Sequence, residues 1–256
     1  MPLQDDNKSL AYVLGVRIDV ASIDVAVRKI ISWAKDRESR YVCAVNVHSV
    51  VTSFDDAKHK LALYESDFNL PDGFPIAKVL NKQGFLEQQR VSGPDITLQL
   101  LETAEQQGLS VFFYGSTEMV LAGLAEALAV KYPKLSVAAY YSPPFRDVTS
   151  LELITIRENI NTSGAHLVFV GLGCPKQEAW MLNQKGQVNS VMIGVGAAFE
   201  FIAGTQRRAP VWMQKIGLEW LYRGFREPRR LAWRYIRTNT IFVLKVIPEF
   251  FTKMKS

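Results

Sequence analysis

The sequence predicts an α/β fold, a mostly parallel sheet covered by helices on both faces, followed by a basic helical appendage. Up to about residue 205, short β-rich runs alternate with segments of helical period. Several of those runs are apolar at consecutive positions, as strands buried on both faces must be. Charge then divides the chain. From Gln206 onward there are 12 Lys/Arg against three Glu, a net +9, while all 256 residues sum to only +5. The first 205 residues are therefore −4, a mildly acidic body carrying a strongly basic tail.

Taken in order, Tyr12–Ile18 reads as a strand, and Ile23, Val27, Ile30, Ile31 and Ala34 mark one face of a helix. Tyr41–Asn46 is a second strand, followed by a long segment to about Phe68. Pro71-Asp72-Gly73 makes a turn before a helix around Ile76–Leu80. Leu109–Tyr114 is a nearly all-apolar strand that runs through Gly115-Ser116-Thr117 into an alanine-rich helix ending near Lys131. Leu135–Tyr140, Ala165–Val170 and Ser190–Val195 repeat the theme, with helices between. Strand and helix alternating in this way give a Rossmann-like sheet. Gly204–Pro210 is the expected linker, dividing a catalytic unit over 1–205 from an appendage over 206–256.

Composition excludes several classes. Cys43 and Cys174 are far apart, which is no disulfide framework, and a reducing cytoplasm is the default. The polar start MPLQDDNKSL is no signal peptide, and no apolar run approaches the roughly 18 residues of a membrane span. A soluble or peripheral protein is expected. The three histidines (48, 59, 166) and two cysteines show no ligand spacing, so no transition metal is expected. No Asp-x-Asp pair offers to hold Mg²⁺ against a diphosphate, and no cofactor is implied.

The tail carries an arginine stripe: Arg223, Arg226, Arg230, Arg234 and Arg237, at spacings of three, four, four and three. At 3.6 residues per turn that spacing sets all five on one helix face. Like charges so placed repel, which suits a bound anion. Pro228 interrupts the run, so two helices meeting are expected rather than one rod. Trp212, Trp220 and Trp233 in the same region suit an anionic membrane interface. Nucleic acid is disfavoured by the acidic body and the lack of a recognition module.

Ligands of open α/β sheets sit beyond the carboxyl ends of the strands. Four such ends carry unusual residues: Asn46-Val47-His48, Gly115-Ser116-Thr117, Gly171 through Glu178, and Gly194-Val195-Gly196. Gly171 and Gly173 let backbone approach a ligand, and Pro175 suits the first turn of an anion-attracting helix. Lys176 and Gln177 add a charge and an amide. The same residues also read as an ordinary strand-to-helix turn. A dinucleotide fingerprint would need glycine where Lys176 stands, which disfavours a Rossmann-type oxidoreductase. Asp72 reads as a turn aspartate or as a general base. His48 reads as a base, a ligand or a hydrogen-bonded core group.

At these residues the chain resembles the WecG/TagA/CpsF family of bacterial glycosyltransferases. The resemblance rests on Gly15 through Asp19, Asn46, Asp72-Gly73, Arg90 with Gly93 and Asp95, and Gly171 through Glu178. It continues through Gly194 to Glu200, Arg208-Ala209-Pro210, Gly217 to Arg223, and Glu227 to Arg230. It covers about residues 11–240 and is most specific in the C-terminal half.

The resemblance implies an inverting, metal-free enzyme at the cytoplasmic membrane face. Such an enzyme moves a sugar from a UDP-sugar to a polyprenyl-diphosphate-linked sugar in cell-surface polysaccharide synthesis. By position it makes Asp72 the general base and Arg90 and Gln177 substrate ligands. Asn46 and Glu200 would line the nucleotide pocket, and Arg223, Arg230 and Arg234 would close over the diphosphate. His48, Gly171, Gly173 and Lys176 join the substrate-binding set. Several members carry threonine two residues before the asparagine, where this chain has Ala44. The donor is thus open between an N-acetylmannosamine and a plain hexose, and self-association is open as well. The rival reading is a peripheral lipid- or nucleic-acid-binding module, which leaves Asp72 and Gly171–Glu178 without a purpose.

Overall fold

The computed structural model describes residues 10–253, without the side chains of Arg230 and residues 249–253. It opens with β1 (Leu10–Val13) and β2 (Val16–Asp19), paired antiparallel. The single strand expected over Tyr12–Ile18 is therefore a hairpin. Leu14 and Gly15 turn it with φ of 50° and 81°. Two left-handed residues match the twist of a tight hairpin, but leucine in the first of them gives no turn signal.

The helix α1 (Ile23–Lys35) starts where Ser22 Oγ accepts from the Val25 amide at 3.3 Å. It buries Ala26, Val27, Ile30, Ile31 and Ala34. After β3 (Arg40–Val45) come α2 (Val47–Asp55), α3 (Ala57–Tyr64) and β4 (Phe68–Pro71). The long segment expected here is thus two helices, split at Asp56, whose side chain caps the second. The four-residue β4 is too short to show a period of its own.

Next come α4 (Phe74–Lys82), α5 (Gly93–Gln107), β5 (Val111–Gly115), α6 (Glu118–Lys131), β6 (Val137–Tyr141) and α7 (Ser150–Ser163). They are followed by β7 (Leu167–Gly171), α8 (Lys176–Gln184), β8 (Val191–Gly194), and the short α9 (Ala198–Ile202) and α10 (Val211–Lys215).

The main sheet has the order β4-β3-β8-β7-β5-β6, with every neighbouring pair parallel. Both faces are covered, as the consecutive apolar residues require. On β5, Val111 and Phe113 enter one core with α1, α5 and α6. Phe112 and Tyr114 enter the other, with α2, α4 and α8. This is the expected Rossmann-like α/β sheet, and it points all its carboxyl ends at one edge.

The tail comprises α11 (Glu219–Arg226), one π turn (Pro228–Ala232) and α12 (Trp233–Lys253). Two helices do meet at Pro228, but the arginines do not share a single face. The division falls inside each helix, where residues three apart stand about 60° apart around the axis. Arg223 and Arg234 face inward, Arg226 is exposed, and Arg237 pairs with Asp55 at 2.8 Å. The Arg230 side chain lies outside the described residues. The helix α12 packs on α2, and its Phe242 and Val246 are buried in the same core as Val47 and Val50 of α2. Among the described residues no helix is long and apolar enough to cross a membrane.

Glycines set the spacing at the carboxyl edge. A Cβ on Gly171 would stand 2.7 Å from the ring of buried Phe199, which packs edge-on to Phe113. Gly171→Ala should therefore lower unfolding stability by about 1–3 kcal/mol through overpacking, read as a reduced urea midpoint at unchanged m-value.

Candidate active site

The carboxyl ends of the strands open into one cleft of about 820 Å³. Its walls include Asn46, His48, Asp72 and Arg90 from the first half of the sheet, and Gly171, Gly173, Lys176, Gln177 and Glu200 from the second. The tail closes one side with Arg223 and Arg234. Every substrate-site residue picked from the sequence lines this cleft except Arg230, which is not described.

Asp72 is placed by strand register. Parallel pairing sets Val45 of β3 against Pro71 of β4, so the next residues, Asn46 and Asp72, leave the sheet side by side. The Asp72 amide donates to Val45 O at 2.9 Å, which anchors its backbone. Asn46 caps α2, its Oδ1 accepting from the Ser49 amide at 3.2 Å. That cap leaves the Asn46 Nδ2 free to donate to Asp72 Oδ2, also at 3.2 Å. Desolvation in the cleft wall is the main influence on this carboxyl and pushes its pKa up to about 6, against the opposing bond from Asn46. Glu219 adds to the rise, and Arg90 offsets part of it. Asp72 is thus ionised at neutral pH and more basic than a free aspartate.

The opposite wall is built from glycine. Gly115 has φ of 122°, and a Cβ there would collide with the Gly171 backbone at 2.6 Å, so the β5 and β7 ends touch. Gly194 leaves room for Gln177, whose Oε1 accepts from the Gly196 amide at 3.1 Å and whose Nε2 donates to Glu178 Oε1 at 2.8 Å. Gln177 is buried and holds the β8 loop in place, a role with no local signal in the sequence. Ser116, with φ of 61°, donates through Oγ to Glu200 Oε1 at 3.1 Å. The other Glu200 oxygen is buried without a hydrogen-bond partner. Lys176 is exposed at the rim, where α8 begins.

The tail is fastened to the body by a charged cluster. Arg90 donates to Glu219 and to Gln214, both at 2.7 Å. Arg208 holds both oxygens of Asp95 and also reaches Ser92. Burial disfavours the Asp95 carboxylate, but the bonds from Arg208 and Ser92 outweigh it and keep its pKa below the ordinary value. Arg208, Asp95 and Glu219 were visible in the sequence only as parts of motifs. Their pairing across more than 100 residues gave no local signal.

Two arginines of the cleft wall stand apart from this cluster. Among the described residues Arg223 and Arg234 have no carboxylate partner, and the Nε of each is buried without a hydrogen bond. Arg223 lies 5.5 Å from the Phe201 ring and Arg234 lies 5.3 Å from that of Tyr235. His48 stands in the field of Arg234. Burial first, and that charge second, push its pKa down to about 4. His48 is therefore neutral at physiological pH, with Nδ1 3.3 Å from Thr52 Oγ1. A desolvated carboxylate on one wall and two unpaired guanidinium groups on another suit proton removal beside an anionic group.

Relatives bear on this arrangement. A protein of Bacillus subtilis strain 168 named N-acetylglucosaminyldiphosphoundecaprenol N-acetyl-beta-D-mannosaminyltransferase is 29% identical over 81% of this chain and 79% of its own. Like-named proteins of Bacillus spizizenii and Staphylococcus aureus strain MW2 are 27% and 25% identical, over 84% and 94% of this chain and 82% and 93% of theirs. The model of the glycosyl transferase WecG/TagA/CpsF family matches residues 11–256. The chain belongs to that family and is a glycosyltransferase.

Proposed function

We propose that this glycosyltransferase moves a hexose or N-acetylmannosamine from a UDP-sugar to a sugar linked to polyprenyl diphosphate, with inversion and without a metal. The observation that carries the reading is the cleft's division between a basic carboxylate, Asp72, and the unpaired cations Arg223 and Arg234. The names of the relatives supply the class of acceptor. Ala44 lines the cleft and offers no hydroxyl, which supports keeping the plain hexose beside the N-acetylated donor.

In this reading the acceptor hydroxyl attacks the anomeric carbon on the face opposite the diphosphate. Its proton passes to an Asp72 oxygen as the new C–O bond forms. The bond from the anomeric carbon to the diphosphate oxygen breaks, and UDP leaves with the electron pair. Arg223 and Arg234, with Lys176 at the rim, neutralise the charge that develops there. Asn46 holds Asp72 in line, while Ser116 and Glu200 border the nucleotide. One carboxylate suffices, since inversion needs no glycosyl-enzyme.

The appendage over 206–256 completes the site and also meets the cytoplasmic face of an anionic membrane, where the lipid-linked acceptor is held. Its outer surface exposes Trp212, Ile216, Phe225, Trp233 and Ile236 beside Arg226 and Arg229, a mixture suited to a lipid headgroup layer.

UDP release across a panel of UDP-sugars, with a soluble sugar-diphosphate-lipid analogue as acceptor, tests the reading. Turnover should persist in EDTA. Loss restored by Mg²⁺ or Mn²⁺ would refute the metal-free mechanism. Turnover should also rise with pH through about 6 as Asp72 ionises.

Asp72→Asn should cut turnover by about 10²–10⁴ with UDP affinity preserved. It should also stabilise the fold. The folded chain keeps the Asp72 proton to about pH 6 and the unfolded chain only to 3.8. Wild-type stability therefore declines as pH rises between those values and stays reduced above them. Removing that penalty should raise stability at pH 7.5 by about 1–3 kcal/mol. A variant that is inactive because it is unfolded would show the opposite shift.

Arg234→Ala should lower turnover about 10²-fold on the soluble acceptor, where membrane affinity has no influence. Unchanged turnover would confine Arg234 to membrane binding.

A further inference from the structure

Beneath the floor of the cleft lies a cluster that the transfer reaction does not use. His59 on α3 and Glu178 on α8 are fully buried, and Cys174 in the loop before α8 borders the cleft. One ligand atom from each of the three lies within 4.8 Å of the other two. His59 Nδ1 and Glu178 Oε2 are both buried without a hydrogen-bond partner.

We infer that His59, Cys174 and Glu178 form a binding site for a thiophilic divalent cation of the Zn²⁺ class, which ties the β7–α8 loop to α3. The donor set of imidazole, thiolate and carboxylate is that of a three-ligand zinc site with one open position. His59 Nδ1 and Glu178 Oε2 are 3.8 Å apart. That is too long for a hydrogen bond and about half an ångström wider than two ligand atoms each about 2 Å from one tetrahedral ion, so a small inward shift of either side chain seats the ion.

The surroundings fix the ligands as metal sites require. His59 Nε2 stands 3.1 Å from the Ser49 carbonyl, which can only accept, so the ring proton lies there and the Nδ1 lone pair faces Glu178. Glu178 Oε1 is held by Gln177 at 2.8 Å, leaving Oε2 to the ion. Cys174 Sγ lies 3.7 Å from the His59 ring at Nε2 and 3.7 Å from Ser49 Oγ. Because Cys174 borders the cleft, an ion has a path in. Asp72 and the tail arginines lie outside this set. The inference therefore stands on the cluster's geometry and not on the reaction assigned to the cleft.

The test uses the full chain, stripped with EDTA and kept reduced with a phosphine. Titration with Co²⁺ should give a thiolate-to-cobalt absorption band that saturates at one ion per chain and is displaced by Zn²⁺. Cys174→Ser should abolish the band, while Cys43→Ala should retain it. Glu178→Gln should weaken Zn²⁺ binding at least tenfold. Zn²⁺ should raise the melting temperature of the wild type and not that of Cys174→Ser.

Wild-type protein also gives a readout independent of any variant's folding. Stoichiometric Zn²⁺ should slow alkylation of Cys174, located by mass spectrometry, at least tenfold. No saturable band, a band that survives Cys174→Ser, or alkylation unaffected by Zn²⁺ would each overturn the inference.

Discussion

Arg90 and Arg208, each held between the body and the tail, are the contacts on which the cleft depends. Arg208 grips Asp95 at the start of α5 while Arg90 reaches across to Glu219 at the start of α11. A partly buried group of this kind is costly to break at one member, because the remaining charge stays desolvated. Together with the packing of α12 on α2, it sets α11 and the π turn over the strand ends and so keeps Arg223 and Arg234 in the wall. The Asp72 carboxyl is tuned by the same group, since Glu219 and Asp95 oppose its ionisation and Arg90 favours it.

Arginines here fall into two kinds with separate consequences. Arg90, Arg208 and Arg237 have carboxylate partners, so their charge is spent inside the protein. Arg223 and Arg234 rest beside aromatic rings, which solvate a guanidinium weakly and leave its attraction for an anion largely intact. Net charge alone, the +9 of the tail, does not distinguish these kinds. Partner geometry does.

Much of the sheet was legible because buried parallel strands must be apolar throughout, and β5, β7 and β8 are. Asp72 and Asn46 could each be singled out from turn and strand-end chemistry, but only the pairing of Val45 with Pro71 makes them neighbours. The β1–β2 hairpin was hidden by Leu14 at a left-handed position. Spacing alone does not give one arginine face, because Arg223 and Arg226 part within α11 and Arg234 and Arg237 part within α12, each pair dividing between the cleft and the outer surface. Gln177 could be placed at the site but not assigned its hold on Gly196. The approach of His59 to Cys174, 115 residues away, follows from helix packing and has no spacing that a motif could capture.

The contact of α12 with α2 bears on how the chain is made. Phe242 and Val246 complete the same core as Val47 and Val50, yet they are synthesised long after α2. While the polypeptide is still being translated, the apolar side of α2 has no cover, although the β-sheet beneath it can already pair. The helix α12 thus seals this core only after every strand of the sheet has been synthesised. A product of premature termination would carry neither the inward-facing arginines nor a closed interior, and it would present a sticky surface to the cell's chaperones and proteases.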